Sequence, residues 1–229
     1  MGMDVLRRGF TVAAVGVVAS ACGSTAPHQA QIVSTTPPTY AQVIFAIGAA
    51  KSVHVVANVG TGEVGDFRTN EAGAVEGKLT ITGDGSFQLY GLEDVTANGS
   101  PTTSIFDAIP DAGFAAALHI KPNVCIAFSA AMQKALGLTA SSLTSLFSPG
   151  GLALTISTKA PGMTLQGTSK VNGIAVNVFK GSGRELDVPI GQRLPMRYLR
   201  YVSSTVSAST TSLTEWNAVG AIAKPTSCP

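Results

Sequence analysis

A chain of 229 residues carrying a formal charge of +2, with charged residues making up only 12% of it, has apolar material for one sizeable core and no basic surplus with which to hold nucleic acid. Its three cysteines and three histidines are scattered, so no set of metal ligands stands at workable spacing and no cofactor motif is visible. The sparse charge suits an exported protein whose polar surface is built from Ser, Thr, Asn and Gln.

Arg7 and Arg8 precede an apolar run from about Phe10 to Ala19, and Ala19-Ser20-Ala21-Cys22 closes it. A basic start, a short apolar stretch, small residues and then a cysteine are the parts of a bacterial lipoprotein signal. The run is much shorter than the roughly 20 apolar residues of a spanning helix, so an anchor of that kind is disfavoured. Residues 1–21 are therefore expected to be removed and Cys22 to carry the acyl chains, palmitate among them. The protein would then sit on the extracytoplasmic face of the cell membrane. A plain secretory signal cut before a free cysteine is the alternative, since Ala19 stands where a lipobox prefers a larger aliphatic residue. Arg7-Arg8-Gly9-Phe10 also has part of the twin-arginine export pattern, a weaker signal. Residues 22–38 are Ser-, Thr-, Ala-, Gln- and Pro-rich without periodicity and read as a flexible tether.

The folded body is expected over residues 39–220, followed by a tail at 221–229. Tyr40, Val43, Ile44 and Ile47 share one face of a helix. Ser52–Val59 and Gly77–Thr82 read as strands. Asp84-Gly85 offers a tight turn, after which Phe87 and Leu89 resume the apolar alternation. Residues 102–119 read as a helix that Pro110 kinks or splits, and 129–147 as a second helix. Lys121–Phe128 is a short strand between them. Strands return at Met163–Val171, Ile174–Phe179, Leu186–Val188, Leu194–Ser203 and Val206–Trp216, with an Asn172-Gly173 turn between the first two. Strands, two central helices and strands again imply an α+β domain with one antiparallel sheet packed on helices.

With Cys22 acylated, the remaining thiols are even in number, and Cys125 is expected to pair with Cys228 in an oxidising compartment. Catalytic residues are not expected. His28, His54 and His119 each stand alone, and no Gly-x-Ser-x-Gly elbow occurs. Glu93, Asp94 and Asp111 could serve as a glycosidase pair, but solvated loop charge is the preferred reading. Gly60-Thr61-Gly62 and Gly181-Ser182-Gly183 lack the Lys-Ser/Thr pair and the following helix of a phosphate loop, and read as connections between strands. Asn98-Gly99-Ser100 matches a glycosylation acceptor, which a bacterial lipoprotein gives little reason to use.

The lipobox, the tether, Ala49-Ala50-Lys51-Ser52-Val53-His54-Val55 entering the first strand, and the Val171-Asn172-Gly173-Ile174-Ala175-Val176 hairpin together resemble the LppX/LprA/LprF/LprG lipoproteins of mycobacteria and their actinobacterial relatives, over about residues 40–217. The resemblance implies a sheet curled into a half-barrel. Helices on its concave face would enclose an apolar cavity for the acyl chains of lipids or lipoglycans, without catalysis. Candidates for the lining are Val53, Val55, Leu79, Ile81, Phe87 and Leu89 from strands, with Ile105, Phe106, Phe114 and Leu118 from the helix above them. For any one of these, ordinary core packing is the competing reading. A tethered module that fills its core with these side chains and binds an envelope protein is the alternative for the whole chain.

Overall fold

In the computed structural model the described residues are 36–59, 62–95, 101–127, 129, 147–201, 207–226 and 228. The signal, Cys22, most of the tether, His28 and Asn98-Gly99-Ser100 lie outside them, as does nearly all of the helix expected at 129–147.

Two antiparallel meanders make one sheet. The first contains β1 (Val53–Val59), β2 (Glu63–Thr69), β3 (Ala74–Ile81), β4 (Gly85–Val95), β5 (Pro101–Pro110) and β6 (Ile126–Ala127). The second contains β7 (Thr164–Val171), β8 (Ile174–Gly181), β9 (Arg184–Pro189), β10 (Arg197–Tyr201) and β11 (Ser207–Thr214). They join where β1 pairs with β11, from His54 opposite Thr214 to Val59 opposite Ser209. The order β6-β5-β4-β3-β2-β1-β11-β10-β9-β8-β7 leaves β6 and β7 as edges, so the sheet is not closed into a barrel.

The hairpins follow local turn chemistry. Asn172 and Gly173 both have positive φ, 50° and 81°, the conformation a two-residue connection between right-twisted strands requires. Ser182 and Gly183 repeat it at 52° and 67° between β8 and β9, which makes Gly181-Ser182-Gly183 a hairpin. The β3–β4 hairpin turns one step earlier than the expected Asp84-Gly85: Ile81 pairs with Gly85, and Thr82, Gly83 with φ 96°, and Asp84 make the connection.

Three helices are seen among the described residues. Helix α1 (Tyr40–Ala49) begins with a reciprocal cap: Gln42 N–H donates to Thr39 Oγ1 at 3.2 Å and Thr39 N–H to Gln42 Oε1 at 2.9 Å. Val43 and Ile47, four residues apart, are its buried face. Helix α2 (Ala112–Ala117) is capped by Asp111, and helix α3 (Pro149–Lys159) by Ser148, whose Oγ accepts from Gly151 N–H at 3.0 Å. Pro149 opens α3, where its missing N–H costs nothing. Tyr40 Oη donates to the carbonyl of Ala160 at 2.7 Å, fastening α1 to the end of α3.

The helices cover one face of the sheet. Over the β1/β11 seam and β8–β9, Val43, Ile47, Leu152 and Ile156 pack on Val53, Val55, Phe179, Leu186, Val188 and Leu213. Over β2–β5, Phe114 and Phe147 pack on Phe67, Val75, Phe87, Leu89 and Ala108. Each such side chain removed from water contributes about 1.5–3 kcal/mol before ordering costs. The Phe67 ring lies flat along β2, stacked on Phe147 with centroids 3.7 Å apart, in space that Gly65 and Gly77 leave free.

The helix expected at 102–119 is corrected by this structure. Residues 101–110 are β5, paired with β4 along most of their length and with β6 at Asp107 and Ala108. Pro110 ends a strand, and the helix is confined to Ala112–Ala117 with Leu118 as its C-cap. The expected short strand carrying Cys125 is reduced to Ile126–Ala127.

Candidate functional site

Along β1–β4 the register gathers the predicted strand residues on the helix-bearing face. Val55 stands opposite Phe67, Gly77 opposite Leu89, and Leu79 opposite Phe87. Val53, Val55, Phe87 and Leu89 are buried, at most 2% exposed, while Leu79 and Ile81 are half-buried beside Phe87 and Leu89. Phe114 reaches this cluster from α2, and Leu118 packs beside it. Ile105 and Phe106 belong to β5, not to a helix. In the backbone register Phe106 pairs with Gly91 and Ile105 with Leu92. Phe67 and Val75 belong to the same apolar field and escape the sequence reading because β2 and the start of β3 show little alternation.

The opposite, outer face is polar. Two cross-strand rows run side by side across β2–β5: Arg68, Glu76, Tyr90 and Asp107 in one, and Asp66, Lys78, Gln88 and Ile109 in the other. These eight side chains floor a groove of about 320 Å³, and Ala223, Pro225 and Cys228 of the C-terminal tail line it too. The tail is held there by the Cys125–Cys228 disulfide, with Cα atoms 5.0 Å apart, and by Lys224 Nζ, 3.4 Å from Asp107 Oδ2. The expected cysteine pairing is therefore present, and it closes a loop between residues 103 positions apart. In the entropic account such a loop restricts the unfolded chain by about 4–5 kcal/mol. The Asp107 carboxylate lies close to both sulfurs, but these are bonded to each other and are not thiolate ligands.

Other ionisable groups are committed to structure. His54 Nε2 is 2.7 Å from Asp66 Oδ1 and its Nδ1 is 3.3 Å from Glu215 Oε1, so the imidazole lies between two carboxylates at the outer face. His119, with φ 56°, follows the end of α2. Asp111 accepts from Phe114 N–H and from the Ser86 N–H and hydroxyl, each at 2.8 Å. Those bonds, led by the one from Phe114, hold its carboxyl below the usual range. It is thus a helix cap, not half of a glycosidase pair. Buried Asp187 receives Arg197 Nε at 2.6 Å, and Glu185 receives Lys180 and Tyr201 at 2.8 Å each. Burial pushes Asp187 up, with Arg197 offsetting part of the rise. At Glu185 burial acts in the same direction but is outweighed by Lys180, Tyr201 and Arg197. Burial also raises the Tyr40 phenol to about 12, with Tyr198 adding to the rise.

No protein-family model matches the chain, and no curated protein matches it in sequence. Solved structures do. The chain is similar to LprF from Mycobacterium bovis, at 14% identity and a TM-score of 0.47, over 81% of this chain and 94% of that one. It is similar to the Mycobacterium tuberculosis lipoprotein LppX, at 12% identity and a TM-score of 0.44, over 80% and 95%. MucB is similar at 15% identity and a TM-score of 0.39, over 80% of this chain and 58% of its own. The fold itself stands on strand order and register: one large antiparallel sheet, open at both edges, with helices on one face. Among the described residues no helix is long and apolar enough to cross a membrane.

Proposed function

We propose that this chain is a lipid-anchored lipoprotein of the cell envelope that carries or chaperones acyl-chain lipids or lipoglycans without catalysis. In this reading residues 1–21 are a signal peptide, Cys22 bears the anchor, 22–38 are the tether, 39–220 the binding body and 221–229 its tail. The observation that carries the proposal is the apolar field on the helix-bearing face. Leu79, Ile81, Phe87 and Leu89 share it with Phe67 and Val75 beneath Phe114, and Val53 and Val55 continue it beneath α1 and α3. Acyl chains need removal from water at about 25 cal/mol per Å² and few polar contacts, which such a face supplies. The half-buried Leu79, Ile81 and Leu118 at its margin are the natural point of entry. The disulfide supports a compartment outside the reducing cytoplasm. The test is purification of the full chain from membranes, solvent extraction and lipid mass spectrometry. Stoichiometric acyl lipid is the expected result, and protein free of lipid with the same fold would overturn the proposal.

A second reading, a tethered module for an envelope protein, is favoured by a different observation. Phe45 on α1 is 76% exposed and Leu154 on α3 is 59% exposed, each a large apolar side chain presented to solvent. Crosslinking in intact cells through residue 45 would return one protein species on this reading, with no lipid in the purified chain.

A further inference from the structure

We infer that the outer face of β2–β5 is a binding site for an uncharged, hydroxyl-rich oligosaccharide, seated in the groove between the sheet and the disulfide-held tail. The site is separate from the apolar face and does not depend on the lipid reading.

Its shape is set by the sheet. Four neighbouring strands spaced about 4.8 Å apart give the two polar rows a length of about 14 Å, and side chains two positions apart along each strand give the width. The groove's volume of about 320 Å³ suits a di- or trisaccharide. The tail makes this region a groove instead of an open sheet face. It is fixed at one end by the bond from Cys228 to Cys125, and along its length by Lys224 against Asp107. Its start is fixed where Val219 N–H donates to Ser52 Oγ at 3.1 Å.

The lining selects the ligand class. Asp66, Glu76 and Asp107 repel a phosphate or other polyanion, while Arg68 and Lys78 repel a polycation, and each row holds charges of both signs. An acyl chain would bury these charges without replacing their hydrogen bonds. A sugar hydroxyl both donates and accepts, so vicinal hydroxyls meet carboxylate, guanidinium and amide groups as paired donors and acceptors without adding charge. The half-buried Tyr90 adds an aromatic ring between Glu76 and Asp107. A peptide is less well served. The groove lies on the face of the sheet, where β2, β3 and β4 are paired on both sides, and Ile109 is the one aliphatic side chain in the two floor rows.

The test titrates the full chain, purified in detergent, with trisaccharides of glucose, mannose, galactose, arabinose and N-acetylglucosamine, read by calorimetry. Saturable binding of at least one is expected. Glu76→Gln and Tyr90→Ala, both on the outer face, should each weaken it at least tenfold with the melting temperature kept within a few degrees. Cys125→Ser with Cys228→Ser, which frees the tail, should weaken binding while the floor variants retain their effect on what remains. Absence of binding across this panel would overturn the inference. So would binding indifferent to both floor variants, or tighter binding of a mixed-charge peptide that those variants abolish.

Discussion

Replacing Gly65 by alanine places a methyl group 2.7 Å from Cε2 and 3.3 Å from Cδ2 of Phe67, with the next neighbour, Leu79 Cδ1, at an ordinary 3.8 Å. The ring has nowhere to go. It is 1% exposed, stacked on Phe147 at 3.7 Å, and bounded along the next strand by Gly77, where a methyl would meet it even more closely. Overpacking of this kind costs about 1–3 kcal/mol, a large part of a typical stability of about 5–15 kcal/mol. Phe67→Ala alone removes the ring and should cost about 3–5 kcal/mol. In that background the methyl at position 65 has room, and alanine is a better strand residue than glycine by about 0.5–1 kcal/mol. Gly65→Ala should therefore change from destabilising to mildly stabilising, a coupling of about 1.5–4 kcal/mol. Urea unfolding followed by fluorescence of Trp216, the sole tryptophan, measures all four proteins of the cycle. Equal cost of Gly65→Ala in both backgrounds would refute the claim that the glycine exists to seat the ring.

Three further outcomes are expected. Arg197→Met leaves the buried Asp187 carboxylate unpaired and should cost about 3–5 kcal/mol at neutral pH, with part recovered by adding Asp187→Asn, as urea midpoints would register. Because Asp187 already titrates above its unfolded value and would rise further, the Arg197→Met protein should gain stability relative to wild type as pH falls through that raised range. Asp111 titrates below its unfolded value, so its contribution is present above the ordinary carboxylate range and lost as pH falls through its lowered pKa; Asp111→Asn should flatten the acid limb of a melting-temperature profile. Cys22→Ser should move the chain from the detergent phase to the aqueous phase in a partition assay, and retention in detergent would count against the anchor.

What could be read from the sequence was whatever local chemistry decides. Asn172-Gly173 declares a hairpin because its backbone conformation is scarce elsewhere, and Val43 with Ile47 declare a helix face because the period is clear. Residues 102–110 misled because Ile105, Phe106 and Ile109 fall at helical spacing. In the fold the segment pairs with β4 along most of its length and with β6 at Asp107 and Ala108, and that pairing overrides the pattern. Strand β2 gave little signal since two positions beside Phe67 on its apolar side, Gly65 and the facing Gly77, carry no side chain at all. Helix α3 hid behind Pro149-Gly150-Gly151, which reads as a break until Ser148 is seen to cap it. The apolar lining was partly legible through alternation. The outer groove was not, because its two rows take residues from four strands that only the register aligns.

The seam between β1 and β11 also bears on when this protein can fold. The first strand of the body finds one of its two neighbours about 160 residues later, and without that last strand the β1–β6 meander and the β7–β10 meander each keep a bare inner edge. Such long-range closure is slow, since the chain entropy is lost before the pairing is gained. A chain threaded across a membrane from its N-terminus would stay open until β11 had emerged. For a chain exported unfolded, passage across the membrane and assembly of the finished sheet would be kept in sequence by this topology.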